Sequence, residues 1–247
     1  MASRSTELTP RESIEKWDVI VFTVSIRNTP KVIRKLVPDI PKDKLIMDFT
    51  GIKSQASKEL KKYTKWEVVA THPMFGPWVE WLKDQNIIYD PISPGAKWEQ
   101  IYAIWENDWA RLIEMDSEKH DEIAAIIQST VHLMNLIIWN VLVETWVSLE
   151  EVEKMATPVY RMQFSILSRF VSQEADLYAD MQMENQVYQD EIIPIIQDHL
   201  EEMQDVLESK DSNSFQNHFN NIKEYVWQDF IDKSMDITNK IDDILKN

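Results

Sequence analysis

A chain of 247 residues can bury a substantial core and form one or two domains. It has 44% apolar residues, a net charge of −16 and no cysteine, which excludes disulfides, thiolate metal sites and a cysteine nucleophile. The charge is uneven, net +3 over residues 1–100 and net −19 over 101–247, and so acidic a second part repels phosphate backbones and argues against nucleic-acid binding.

The polar start of the chain lacks the apolar core of a signal peptide. With the absence of cysteine, this fits a cytoplasmic protein. Thr9-Pro10 predicts a short helix over Arg11 to Lys16. Asp18 to Ser25 (DVIVFTVS) reads as a buried parallel strand, because β-branched and aromatic residues run on without polar alternation. Thr29, as N-cap, and Pro30 open an amphipathic helix with Val32, Ile33, Leu36 and Val37 on its apolar face. Leu45 to Phe49 is a second strand, Ser54 to Lys65 a charged helix, Glu67 to Thr71 a third strand and Ile87 to Tyr89 a fourth. A helix over Trp98 to Arg111 and a short strand at Leu112 to Met115 follow. Strands alternating with helices predict an α/β unit on a parallel sheet.

The pattern changes near Ser117, and helix signals dominate from there on. The expected division is an α/β domain over 1–116 and an all-α domain over 117–247. Glu118 to about Trp146 carries an apolar stripe broad enough to be buried nearly all round, as in the core helix of a bundle or dimer. Its richest part, Leu133 to Val143, is interrupted by Asn135 and Asn140 and reads as too short to cross a membrane. Thr157-Pro158 opens a further helix, and three more are expected over Gln186 to Glu208, Ser212 to Phe230 and Lys233 to Leu245.

The only glycines are Gly51, Gly76 and Gly95, so the sequence holds no G-x-G-x-x-G turn and no phosphate loop. Chemistry-bearing residues concentrate elsewhere. The third strand runs straight into His72, which opens the segment His-Pro-Met-Phe-Gly-Pro, at the edge where open α/β sheets place their ligands. A histidine there can serve as general base or simply cap a loop. Lys53 lies just past the second strand, at the same edge. His132 sits mid-helix, four residues after Gln128 and on its face, among apolar neighbours, and reads either as a ligand contact or as a satisfied buried histidine. Arg161 and Arg169 are eight positions apart, about 80° around an ideal helix. They read as structural ion pairs or as a clamp for a small carboxylate. The five histidines show no metal-ligand spacing, so no metal is assigned.

Six segments in order, DVIVFTVSI, MDFTGIK, THPMFGP, EKHDEIAAIIQSTVH, ATPVYRMQFSILSR and LYADMQMEN, resemble the prephenate dehydrogenase family, whose members oxidise and decarboxylate prephenate, or oxidise arogenate, on the route to tyrosine. The resemblance covers residues 18 to about 186. It implies a partial Rossmann-like domain followed by a helical dimerisation domain, NAD or NADP as cofactor, a small carboxylate substrate and a homodimer. It assigns His72 as the catalytic base that takes the ring hydroxyl proton. Arg169 binds a substrate carboxylate, Arg161 supports the anion site, and His132 and Lys53 lie near the substrate. Gln128, Thr50 and Gly51 support the site, and Ser25, Pro73 and Gly76 line the cofactor. Two departures stand out. The family's glycine-rich pyrophosphate turn and its first three strands have no counterpart, which leaves the strand at Asp18 to Ser25 with an unpaired edge. The family's usual serine is replaced by Gly51. The alternative function is therefore a non-catalytic dimeric relative that binds an aromatic-pathway carboxylate or a protein partner.

Overall fold

The computed structural model describes residues 8–76 and 78–245. The first residues of the polar start and Pro77, the end of the His-Pro-Met-Phe-Gly-Pro segment, lie outside the described residues. Helix α1 (Pro10–Lys16) opens on a capping box in which the Thr9 hydroxyl and the Glu12 carboxylate satisfy each other's backbone N–H groups. Five strands follow: β1 (Val19–Phe22), β2 (Leu45–Asp48), β3 (Glu67–Pro73), β4 (Asn86–Ser93) and β5 (Arg111–Glu114). Between them lie α2 (Thr29–Leu36), α3 (Ser54–Leu60) and α4 (Ala96–Asn107). The sheet order is β1-β2-β3-β4-β5.

The expectation of a wholly parallel sheet is corrected. β1, β2 and β3 are parallel and β4 pairs with β5 in parallel, but β3 and β4 run antiparallel. The reason is the connection. The described residues between β3 and β4 form no helix that could carry the chain back across the sheet, and β4 returns alongside β3. β1 pairs with β2 alone among the described residues, and its other side is an open edge. Thr29 is not the cap of α2 but lies inside it. The chain enters through a 3₁₀ turn over Ile26–Asn28, and the Thr29 hydroxyl donates back to the carbonyls of Val24 and Ser25.

Alternation along the strands builds two apolar layers. Ile46, Val68 and Ala70 face Ile33, Val37, Ala56 and Leu60. Leu45, Met47 and Val69 face Tyr89 and Trp98. Gly95 offers α4 no capping side chain, and the Glu67 carboxylate accepts the N–H groups of Lys97 and Trp98 instead, at 2.9 and 3.1 Å.

The helical part comprises α5 (Ser117–Ala124), α6 (Val131–Thr145), α7 (Leu149–Met155), α8 (Pro158–Val171), α9 (Ala175–Met183), α10 (Ile193–Ser209), α11 (Ser212–Tyr225) and α12 (Gln228–Leu245). By packing, the chain forms two compact units. Residues up to Ser129 and Asp176–Tyr188 pack with the sheet, while Thr130–Ala175 and Gln189 onward form a helical unit. Two of the three crossings fall in or beside π-helical segments, Ala125–Thr130 and Tyr188–Ile192.

Helix runs unbroken over Ser117–Thr145, and by length and composition it could cross a membrane, which corrects the expectation of too short a stretch. That expectation counted only the residues between polar interruptions, whereas the helix carries its asparagines within it. Little of its apolar stretch is buried within the single chain. Its start is nonetheless tied into the sheet unit, where Ser117, His120 and Asp121 are buried.

Candidate active site

Parallel pairing of β1, β2 and β3 brings their carboxyl ends to one rim of the sheet. Asp48 closes β2, and His72 is the penultimate residue of β3. Asp48 and Lys53 form a buried ion pair beneath this rim, and the Lys53 ammonium also donates to the Thr71 carbonyl at 2.7 Å. Asp48 additionally accepts the backbone N–H groups of Thr50 and Thr71. Burial pushes the Lys53 pKa down, opposed by the Asp48 carboxylate. Lys53 is 2% exposed and its charge is neutralised internally. It therefore fastens the loop after β2 to β3, with its charge already paired.

His72 is buried, and its Nδ1 lies 2.8 Å from Nε2 of His120 on α5. The other nitrogen of His120, Nδ1, lies 2.8 Å from the Asp121 carboxylate. Asp121 also accepts the backbone N–H groups of Lys53 and Ser54, both at 2.8 Å, so one carboxylate caps the start of α3 and anchors the imidazole pair. Burial alone would raise the Asp121 pKa, but the hydrogen bonds from His120, Lys53 and Ser54 hold it below the usual carboxylate range. The His72 pKa is pushed well below its ordinary value by burial first, then by His120 and Lys53. His72 is accordingly neutral at pH 7, the state a general base requires. On its far side Gly51 leaves room. A Cβ there would stand 3.6 Å from His72 Nε2, at ordinary contact distance.

From the sequence, His120 and Asp121 were read only as the start of the long helix, with no role assigned. The signal was the dipeptide itself, two titratable residues in the first turns of a helix capped by Asp116. Nothing in the sequence placed it against His72. Thr50 is buried beside this site, and its hydroxyl has no hydrogen-bond partner among the described residues. Gln128 lies in the first π-helical segment. Ser25 is exposed after β1, where its hydroxyl accepts from Asn28 Nδ2 at 2.8 Å. Pro73 pairs with Ile87, and Gly76 packs against the Trp78 indole. Ser25, Gly51 and Pro73 follow or end the three parallel strands at this rim. For the pyrophosphate end of a dinucleotide, these 247 residues supply no glycine-rich turn.

Within the helical unit, His132 on α6 stacks on Phe170 of α8, with ring centroids 5.3 Å apart. Burial lowers its pKa to about 4, so it is a neutral polar contact at pH 7. Arg161 lines an open groove of about 960 Å³ together with Trp139, Phe164, Ser165 and Ser168. Arg169 is not part of that lining, because residues 161, 164, 165 and 168 share one helix face and position 169 turns away from it. Both guanidinium groups are exposed, and among the described residues neither pairs with a carboxylate. Structural ion pairs, the bland expectation for these arginines, are not what they form.

Two family models match the chain. "Prephenate dehydrogenase, nucleotide-binding domain" covers residues 5–114, and "Prephenate dehydrogenase, dimerization domain" covers residues 116–221. A probable arogenate/prephenate dehydrogenase of Methanocaldococcus jannaschii is 32% identical over 83% of this chain and 47% of its own length. The T-protein of Enterobacter agglomerans is 30% identical over 68% of this chain and 45% of its own length. The chain thus spans about half the length of these curated relatives. Among solved structures, Aquifex aeolicus prephenate dehydrogenase in complex with hydroxyphenyl propionate and NAD+ superposes with a TM-score of 0.68 at 16% identity, covering 93% of this chain and 80% of that one. Synechocystis arogenate dehydrogenase gives 0.64 at 13% identity, covering 89% and 83%. These two likenesses concern the fold, a Rossmann-like part followed by a helical domain.

Proposed function

The chain belongs to the prephenate dehydrogenase family, and on that premise we propose that it oxidises and decarboxylates prephenate, or oxidises arogenate, with NAD(P) in the cytoplasm and as a homodimer. One observation carries the reading: a buried, neutral histidine at the carboxyl rim of the sheet, with one nitrogen held and the other beside an open position at Gly51. In this reading His72 Nε2 accepts the proton of the substrate's ring hydroxyl. As that O–H bond breaks, the oxygen forms a carbonyl and the hydride leaves the same carbon. A bound NAD(P)+ supplies the acceptor for that hydride. From prephenate, carbon dioxide departs and the ring becomes aromatic.

Arg161 and Arg169, exposed and unpaired with carboxylates among the described residues, are the cations proposed for the substrate carboxylates, with Arg169 making the bidentate contact. His132, neutral at pH 7, is proposed as a polar substrate contact, and Gln128 and Thr50 as supporting groups. Ser25, Pro73 and Gly76 are proposed to line the nicotinamide. The homodimer reading rests on the matched dimerisation model and on the exposed apolar residues of α6, among them Leu136, Ile137, Val141 and Val143.

Gly51, standing where the family resemblance places a serine, favours a second reading, a non-catalytic relative that keeps the carboxylate site. Purified protein is mixed with prephenate or arogenate and NAD+ or NADP+, and NAD(P)H absorbance is followed. Tryptophan fluorescence during titration with NADH and NADPH reports cofactor binding. Turnover that His72→Asn abolishes supports the enzyme. Binding of prephenate by calorimetry, lost in Arg169→Ala, with neither cofactor binding nor turnover, selects the second reading.

A further inference from the structure

We propose that His120, held by Asp121, is a positioning residue that keeps His72 in its Nδ1–H tautomer and so reserves Nε2 as the proton-accepting atom. The inference deepens the proposed enzymatic reading, since that reading gives Nε2 its task. The argument follows from donors and acceptors alone. An ionised carboxylate only accepts hydrogen bonds, so the 2.8 Å contact between Asp121 and His120 Nδ1 requires a proton on that nitrogen. A neutral imidazole carries one N–H, which leaves His120 Nε2 as an acceptor. The 2.8 Å contact between His120 Nε2 and His72 Nδ1 then requires the proton on His72 Nδ1. His72 is neutral, so its Nε2 keeps a free lone pair.

Reversing the chain needs a proton on Asp121 or a second proton on His120. Four ligating groups oppose the first, because Asp121 accepts from His120, from the backbone N–H groups of Lys53 and Ser54, and from the Ser54 hydroxyl. Lys53, from the loop after β2, also acts on His72, and Asp48, from β2, neutralises it. Nε2 faces the backbone of Gly51, and among the described residues it makes no hydrogen bond. The arrangement follows the logic of a carboxylate that fixes a histidine tautomer, extended here by one imidazole.

The test reads the tautomer directly. Long-range nitrogen–proton correlation spectra are recorded on protein labelled with nitrogen-15 histidine, near neutral pH and without ligand. His72 signals are assigned by their loss in His72→Gln. The expected result is Nδ1–H for both His72 and His120; Nε2–H at His72 overturns the proposal. In His120→Phe, His72 is expected to move to Nε2–H, and an unchanged tautomer overturns the proposal. Where turnover is measurable, kcat in that variant falls between about tenfold and 10⁴-fold with KM held, the upper figure being the effect of a wrong tautomer in a serine protease triad. If tryptophan fluorescence shows His120→Phe unfolded, the ligand-free wild-type spectrum decides alone. The two readings fail separately. An inactive protein with His72 as Nδ1–H removes the enzyme and leaves the tautomer chain standing. An active protein with His72 as Nε2–H does the reverse.

Discussion

The sheet unit and the helical unit bury their apolar residues very differently. Around the sheet, Ile33, Val37, Leu45, Ile46, Leu60, Val68 and Val69 are fully enclosed, and even the polar Asp48, Lys53, His120 and Asp121 are buried with partners. Among the described residues of the helical unit, only Leu167, Phe170 and Asn135 reach that degree of burial. Val141, Val143, Trp146, Tyr160, Phe219 and Trp227 there are all more than half exposed. An apolar surface of that extent on a single chain marks an interaction site. The contrast teaches that the sheet unit encloses its apolar residues within the chain while the helical unit leaves many of its own in solvent, as a dimerisation domain would without its second copy.

The sharpest way to separate the units is chemical. His72→Asn should lower turnover on the order of 10²- to 10⁴-fold, the usual contribution of a general base, while sedimentation shows the oligomer unchanged. Equal loss of assembly would show that the two units do not act independently.

Next in size is the buried ion pair. Asp48→Ala strands the Lys53 ammonium in a buried site and should cost about 3–5 kcal/mol in urea unfolding. Asp48→Leu combined with Lys53→Met removes both charges and should cost much less. Equal losses in the two proteins would mean that the pair acts through packing rather than charge.

The helical unit should respond to concentration instead. Val141→Asp places a charge on the exposed face of α6, which costs little in an isolated helix exposed to water. It should convert the dimer to monomer and lower Tm more at low protein concentration than at high. A drop in Tm independent of concentration would mean that this face is not the interface.

A smaller effect comes from pH. His132 has its folded pKa depressed to about 4 by burial, against about 6.5 unfolded. As pH falls below about 6.5 the unfolded chain takes up a proton that the folded chain refuses, so stability declines towards pH 4 and levels below it. His72, depressed in the same direction, adds to the decline. Thermal melts of His132→Asn should show a shallower acid slope, and an unaltered slope would remove His132 from the account.

Sequence reading served the sheet unit better, and the reason is range. All five strands were legible because β-branched runs report burial locally: VIVF, LIMD and the segment ending at His72 fall where the pattern puts them. The reversal at β4 was not legible, since a twelve-residue connection without helix periodicity does not announce its direction. The His72 position was readable from strand end and motif, but its partner lies 48 residues away in sequence. A contact of that range leaves no spacing signal. Lys53 looked like a rim cation because the sequence shows its place at the end of β2 but hides that Asp48, five residues earlier, points at the same spot. For Arg161 and Arg169, the ideal-helix angle kept both on one broad side, but only Arg161 lines the groove, since a groove wall is narrower than that side.

The finest test of the contrast is Gly51. Its φ is not in the left-handed region, and an added Cβ would meet Ile26 Cδ1 and His72 Nε2 at 3.6 Å, so a side chain fits without strain. Replacing glycine by a residue the backbone tolerates stabilises by about 0.4–1 kcal/mol, chiefly through the unfolded chain. Gly51→Ala should therefore raise the urea midpoint slightly, and Gly51→Ser should do the same. Only the serine brings a hydroxyl within reach of the Nε2 lone pair. If that lone pair is free, the serine O–H donates to it, and the histidine spectra show a shifted Nε2 in Gly51→Ser but not in Gly51→Ala. The matching reading at the level of turnover is that serine, and not alanine, raises kcat with prephenate, because a hydroxyl there can bridge base and substrate. Loss of stability in both variants would show that the rim beside His72 is already closed, with packed atoms over the place where a ligand is proposed to sit.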